Sequence, residues 1–287
     1  MTATATEPLP MGAAHAGPLA HAVGVGLRVV HLPHIFTHWP AVDFFEIVSE
    51  NFMVDGGLPR ENLERICARY PVVQHGVSLS IASAEPLDFD YLRRLKALCD
   101  RTDTPWFSDH LCWSQSGGAH LHDLLPTPYT PQIASFIAEK ARIVQDFIGR
   151  PLALENLSSY VSFADSTMTE WDFYRAVVEQ AGVGMMLDLN NVYVSSVNHH
   201  FDPMDYLAAV PWERVMQIHL AGPSEQPDGS LLDTHDSPVR DPVWALYRHA
   251  CRQRPGIPTL LEWDASIPPF PEVHAQALLA REHARGC

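Results

Sequence analysis

The sequence predicts an α/β fold, a single (β/α)8 barrel, on three observations. Eight short apolar runs recur along the chain, amphipathic segments separate most of them, and no phosphate-binding glycine turn follows the first. The runs are VGVGL (23–27), FFEIV (44–48), VVQHGV (72–77), WFSDHL (106–111), LALENL (152–157), GMMLDL (184–189), VMQIHL (215–220) and TLLEW (259–263). Apolar runs of this length read as strands covered on both faces, and strands alternating with helices pair in parallel through βαβ crossovers. Eight such units close a barrel. The helices are clearest in ENLERICARY, DYLRRLKALCD, PQIASFIAEKARIVQDFIG and EWDFYRAVVEQAG. In the third, Ile133, Phe136, Ile137, Ile143, Val144 and Phe147 recur at the spacing of a buried helix face. The fourth starts at Thr169, a good N-cap, and stops at Gly182, a good C-cap. No comparable pattern places the helices before the second and seventh strands. An open doubly wound sheet is the alternative, but it would carry GxGxxG after its first strand, and here GVGLR leads into VVHLPH. Residues 1–22 are expected to be a flexible tail, and 23–287 one barrel-shaped catalytic domain.

Composition narrows the class of function. The formal charge is −15, from 34 acidic and 19 basic residues, which repels a phosphate backbone and argues against nucleic acid as a partner. Cys67, Cys99, Cys112, Cys251 and Cys287 form no CxxC and no framework spacing, as expected in a reducing cytoplasm. Cys112 reads as packing. The first 22 residues lack the basic and apolar regions of a signal peptide, and no apolar run reaches the length of a membrane span. A soluble, cytoplasmic protein is expected.

The informative residues close the strands. His75, His110, Glu155, Asp188, His219 and Glu262 each sit at or near the C-terminal end of a predicted strand. They are about 30–45 residues apart, one βα unit each, so all six face the mouth where barrel active sites lie. Any one alone would read as a rim residue, a cap or an ion pair. Together, in apolar strands, they need partners, because buried carboxylates are paired or metal-bound. The loop LLDTHDSPV adds Asp233 and His235 at ligand spacing, and Asn191, three residues after Asp188, adds an amide oxygen. Nine candidate ligands exceed the need of one tetrahedral ion and point to two or three. Imidazole and carboxylate without thiolate suits iron, manganese or zinc. Asp236 is placed to orient His235 from behind. The segment GGAHLHDLLPTPYT, with His120 and His122, is the candidate for substrate contact. His31, His34, His38, His199, His200, His249, His274 and His283 read mostly as surface residues.

The ordered segments FFEIVSENF, HGVSLSI, SDHLCW, HDLLPTPYT, LENLSSY, LDLNNVYV, IHLAG, DTHDSPV and LLEWD resemble the multinuclear non-heme iron-dependent oxidative enzymes, whose best-known members are the methanobactin-biosynthesis oxidases. The resemblance runs from about residue 24 to 275. It implies a triosephosphate-isomerase-type barrel, like the xylose-isomerase and apurinic-endonuclease metal barrels, with two to three irons and O2 as co-substrate. It implies one iron on His75, His110 and Glu155, a second on Asp188, His219 and Glu262 with Glu155 bridging, and a third on Asn191, Asp233 and His235. Asp236, Asn156, Asn190, Asp109 and His122 would support these ligands or meet substrate. The implied substrate is a cysteine-containing precursor peptide made by ribosomes, oxidised to an oxazolone–thioamide pair, a thiooxazole or a related product, with a small leader-binding partner protein assisting. Two other classes share the pattern: trinuclear-zinc apurinic endonucleases, in which a His usually stands where Asn191 does, and metal-dependent sugar isomerases, whose ligands are mainly carboxylates. A metal-storage protein would need no open coordination positions, and nine ligands for three ions leave several.

Overall fold

A computed structural model describes residues 19–285. All eight predicted strands are present, each within a residue or two of its predicted limits. They are β1 (Val23–Gly26), β2 (Phe45–Val48), β3 (Val72–Gly76), β4 (Phe107–His110), β7 (Leu152–Glu155), β8 (Gly184–Asp188), β9 (Val215–Leu220) and β12 (Thr259–Leu261). They close a barrel in the order β1-β12-β9-β8-β7-β4-β3-β2, every pair parallel. Two antiparallel hairpins that the sequence reading missed stand outside it: β5 (Trp113–Ser116) with β6 (Ala119–Leu125), and β10 (Ser224–Glu225) with β11 (Leu231–Leu232). Their turn signals were present, Gly117-Gly118 with both φ positive and Asp228-Gly229, but the flanking segments are short and largely polar and do not read as strands.

Among the described residues the helices are α1 (Leu32–His38), α2 (Leu58–Cys67), α3 (Phe89–Thr102), α4 (Pro131–Ile148), α5 (Glu170–Ala181), α6 (Leu189–His199), α7 (Pro203–Ala209), α8 (Asp241–Gln253) and α9 (Phe270–Arg285). Thr169 caps α5 by accepting from the Asp172 amide, and Gly182 ends it in the left-handed conformation, as its sequence predicts. The helices the sequence left unplaced are α1 and the α6–α7 pair, short or polar segments with weak periodicity. On α4 the buried face differs from the predicted one. Ala134, Ile137, Ala138, Ala141 and Val144 are buried, whereas Phe136 and Ile143 are each 41% exposed. Small alanines let α4 lie close to its neighbours, so volume and not hydrophobicity alone selects the face.

Side chains alternate across each strand, and the inward set forms layers. Phe44, Val73, Trp106, Ala153, Met186 and Leu260 fill the lower barrel together with Leu19 and Ala22. The residues two further on, Glu46, His75, Ser108, Glu155, Asp188 and Glu262, carry polar groups toward the mouth. Leu19 and Ala22, placed in the tail by sequence, are buried, and the His21 amide donates to the Gly256 carbonyl. The remainder of the expected tail, residues 1–18, lies outside the described residues, as does Cys287. His31, expected at the surface, is buried instead, with Nε2 2.9 Å from the Pro268 carbonyl. Among the described residues no helix is long and apolar enough to cross a membrane.

Candidate metal centre

Strand register assembles the site. His110 pairs with Glu155 across β4 and β7, and Asp188 with His219 across β8 and β9, so residues far apart in sequence become lateral neighbours. Glu155 lies at the centre. Its Oε2 is 3.0 Å from His75 Nε2 and 3.2 Å from His110 Nε2, and its Oε1 is 3.0 Å from His219 Nδ1. Glu262 Oε2 reaches the same His219 Nδ1 at 3.1 Å. His75, His110 and Glu155 form one cluster with metal-ligand spacing, and Glu155, Asp188, His219 and Glu262 form a second that shares Glu155.

The third group lies beside them. Asp233 Oδ1 is 2.6 Å from His235 Nε2, and Asp233 is held by Asn190 Nδ2 at 2.6 Å and Ser158 Oγ at 2.9 Å. Asp188 caps α6 by accepting from the Asn191 amide, which turns the Asn191 side chain to the cavity wall. Asn156 pins this turn, receiving the Asp188 amide and donating to the Asp188 carbonyl. Asp236 does not orient His235. It accepts from Ser224 and Thr234, while Asp264 takes the expected place, 3.1 Å from His235 Nδ1. Arg28 in turn bonds Asp264 and lies 3.7 Å from Glu262. Asp109 faces away from the cavity. It accepts from the Leu79 and His110 amides and fills the space beside Gly76 where a Cβ would stand. His122 is exposed on β6 and lines an adjoining depression with Val77, Asp123 and Leu124.

The residues fit bound cations. Glu155 Oε2, Asp188 Oδ2, Asn191 Oδ1, His219 Nδ1 and His235 Nε2 are buried atoms without a hydrogen-bond partner. Such groups are costly unless something satisfies them. Several lie within 3–3.2 Å of one another yet are not aligned as donor and acceptor, the arrangement of atoms aimed at a common centre. The electrostatics agree. Burial opposes the Glu155 charge, but His219, His75 and His110 hold its carboxyl well below the usual range. Burial likewise opposes charging His75, yet Glu155 raises it to about 9. Burial drives Asp188 well above the usual carboxylate range. Protons therefore take the place of positive charge that cations would supply. A cavity of about 400 Å³ opens above the cluster, walled by Val48, Val77, Leu124, Leu157, Ser158 and Tyr160.

Sequence reasoning missed Glu46, Asp264 and Arg28. The signal for Glu46 was present, a lone carboxylate inside the apolar run FFEIV, which must find a partner when buried. Cys112, read as packing, is fully buried.

Solved structures share the barrel. D-psicose 3-epimerase from Clostridium cellulolyticum H10 matches with a TM-score of 0.61 at 12% identity, over 92% of this chain and 98% of that one. Endonuclease IV from Thermus thermophilus matches at 0.59 and 16%, over 93% and 100%. At such identities the likeness concerns the fold alone. Nearer relatives are UPF0276 proteins. That of Acaryochloris marina is 47% identical over 254 residues, 88% of this chain and 91% of its own length. That of Caulobacter vibrioides is 48% identical over 259 residues, 90% and 92% of the two chains. The family model described as the RiPP precursor modification enzymes MbnB/TglH/ChrH matches residues 22–285, so this chain, with its carboxylate-bridged imidazole clusters at the barrel mouth, belongs to that family of enzymes acting on ribosomally made precursor peptides.

Proposed function

We propose that the protein is an O2-dependent, multinuclear non-heme iron oxidase that modifies cysteine residues of a precursor peptide in the cytoplasm. The observation that carries this reading is the ligand chemistry: imidazole, carboxylate and amide oxygen converge without a thiolate, on a chain whose family modifies peptides. In this reading His75, His110 and Glu155 hold one iron, and Asp188, His219 and Glu262 a second with Glu155 shared. Asn191, Asp233 and His235 hold a third. The amide oxygen of Asn191, a harder donor than imidazole, favours a redox or exchangeable metal over fixed zinc. Bound iron would supply the oxygen-activating redox chemistry, which the protein side chains cannot.

The chain's own residues do the rest. Asn190 and Ser158 fix Asp233, Asn156 fixes the Asp188 turn, and Arg28 and Asp264 fix Glu262 and His235. Leu124, Leu157 and Val77 give an apolar wall to a cavity sized for one or two peptide side chains. Val29, Val30, Tyr160 and Val161 are 71, 61, 50 and 54% exposed. They follow β1 and β7 at the mouth and support the docking there of a peptide or a small leader-binding partner. Protein purified anaerobically and analysed for metals, with Mössbauer spectra on an iron-57 sample, tests the reading. Two to three irons per chain, partly coupled, support it. Three zincs without iron overturn it and direct the next assay to hydrolysis of abasic DNA.

A further inference from the structure

Four imidazoles face the cluster, and each has one nitrogen engaged from outside. His75 Nδ1 is 2.9 Å from Ser108 Oγ, whose own proton goes to the Gln74 carbonyl, so Nδ1 must be the donor. His110 Nδ1 donates to the Gly76 carbonyl at 3.1 Å, and His235 Nδ1 to Asp264 at 3.1 Å. All three therefore turn Nε2 to the centre as the nitrogen left for a cation. His219 is turned the other way. Its Nδ1 faces Glu155 and Glu262, and its Nε2 faces down the barrel toward Glu46.

What lies below His219 is a fully specified chain. The Trp106 indole can only donate, and it donates to Gln217 Oε1 at 3.0 Å. That fixes the Gln217 amide, whose nitrogen donates to Glu46 Oε2 at 2.6 Å. Glu46, 4% exposed, then sets both oxygens 3.1 and 3.2 Å from His219 Nε2. Gln217 Nε2 also stands 3.0 Å from His219 Nε2, but it donates to Glu46, and a bare ring nitrogen facing both Glu46 oxygens would set lone pair against lone pair, so Nε2 carries the proton.

We infer that Glu46 is a positioning residue of the metal centre, holding His219 in the tautomer that ligates through Nδ1 while His75, His110 and His235 ligate through Nε2. The inference rests on the reading of this cluster as a metal centre and goes beyond its ligand set. A carboxylate behind a ligating imidazole fixes the ring and makes it a stronger donor. Trp106 and Gln217 extend that control to the barrel core, which shares Trp106 with the apolar layer.

The test uses full-length protein labelled with 15N-histidine and loaded with Zn2+ alone. Long-range 1H–15N correlation spectra distinguish Nδ1-bound from Nε2-bound rings. One ring in four is expected to be zinc-bound through Nδ1, and assignment with His219→Gln identifies it. In Glu46→Gln, zinc removal by a chelator is expected to become roughly 10–100-fold easier. Zinc bound by all four rings through Nε2 overturns the inference while leaving the metal centre intact. Failure to take up zinc or Fe2+ at all overturns the metal reading itself. A purely structural Glu46 would leave zinc retention and the ligating nitrogen of His219 unaltered in Glu46→Gln, which also refutes the inference. Should Glu46→Gln not fold, the wild-type spectrum alone decides.

Discussion

Replacing Glu155 by Gln tests the electrostatic account of the centre in the absence of metal. In the metal-free chain the Glu155 carboxylate is the counter-ion of His75, 3.0 Å away, and holds that imidazole at about 9 against burial. A histidine raised in the folded state stabilises fully below its unfolded value of 6.5 and loses that contribution as pH rises through 9. The shift corresponds to about 3 kcal/mol, or roughly 6–12 °C of melting temperature for a domain of this size. Metal-stripped wild type is therefore expected to lose stability between pH 6.5 and 9, and metal-stripped E155Q to lose far less over the same window. At pH 6.5 the variant should be the less stable by about 3–5 kcal/mol, because the His75 and His110 imidazoles pair with no other carboxylate among the described residues. Thermal denaturation by circular dichroism at both pH values, in chelator, measures the difference. Equal pH dependence in the two proteins would refute the argument. Added metal should flatten the wild-type profile, since a ligating imidazole must be neutral.

Other outcomes follow from sites around the cluster. Burial raises Glu170 to about 7, and it accepts from the Tyr206 hydroxyl at 3.2 Å. The sign is the same for this raised acid: stability is full below 4.5 and falls as pH rises toward 7, by up to about 3 kcal/mol. Urea denaturation of Glu170→Gln should show that decline abolished. Gly76→Ala would drive a Cβ into the Asp109 carboxylate and displace the end of β3 that carries His75. A loss of about 1–3 kcal/mol is expected, read as a lowered melting temperature together with reduced metal content. Asp264→Asn removes the carboxylate behind His235, and metal analysis after dialysis should show one ion per chain held roughly 10–100-fold more weakly. Phe136→Ser, on the exposed side of α4, should change stability by only about 0.5 kcal/mol despite its place in the apolar pattern.

Local chemistry wrote the barrel into the sequence. Strand runs such as LALENL and GMMLDL, the Thr169 and Gly182 caps and the spacing of one functional residue per βα unit are properties of neighbouring residues, and all are readable without a structure. The nine proposed ligands were legible for the same reason, since each stands at a strand end or in a short polar motif. Partnership was not legible. Whether Asp236 or Asp264 backs His235 depends on how the loop after β11 folds across β12, and adjacency in sequence to Asp236 cannot reveal it. The buried face of α4 depends on which side chains its neighbours leave room for, so Phe136 was misplaced. Glu46 reaches His219 only because β2 and β9 face each other across the closed barrel, 173 residues apart in the chain. The sequence alone determined which groups a metal centre could draw on, because side-chain chemistry and strand period are local. Tertiary structure alone decided which nitrogen of each imidazole faces inward, because hydrogen bonds from behind the ring set the tautomer and come from distant strands.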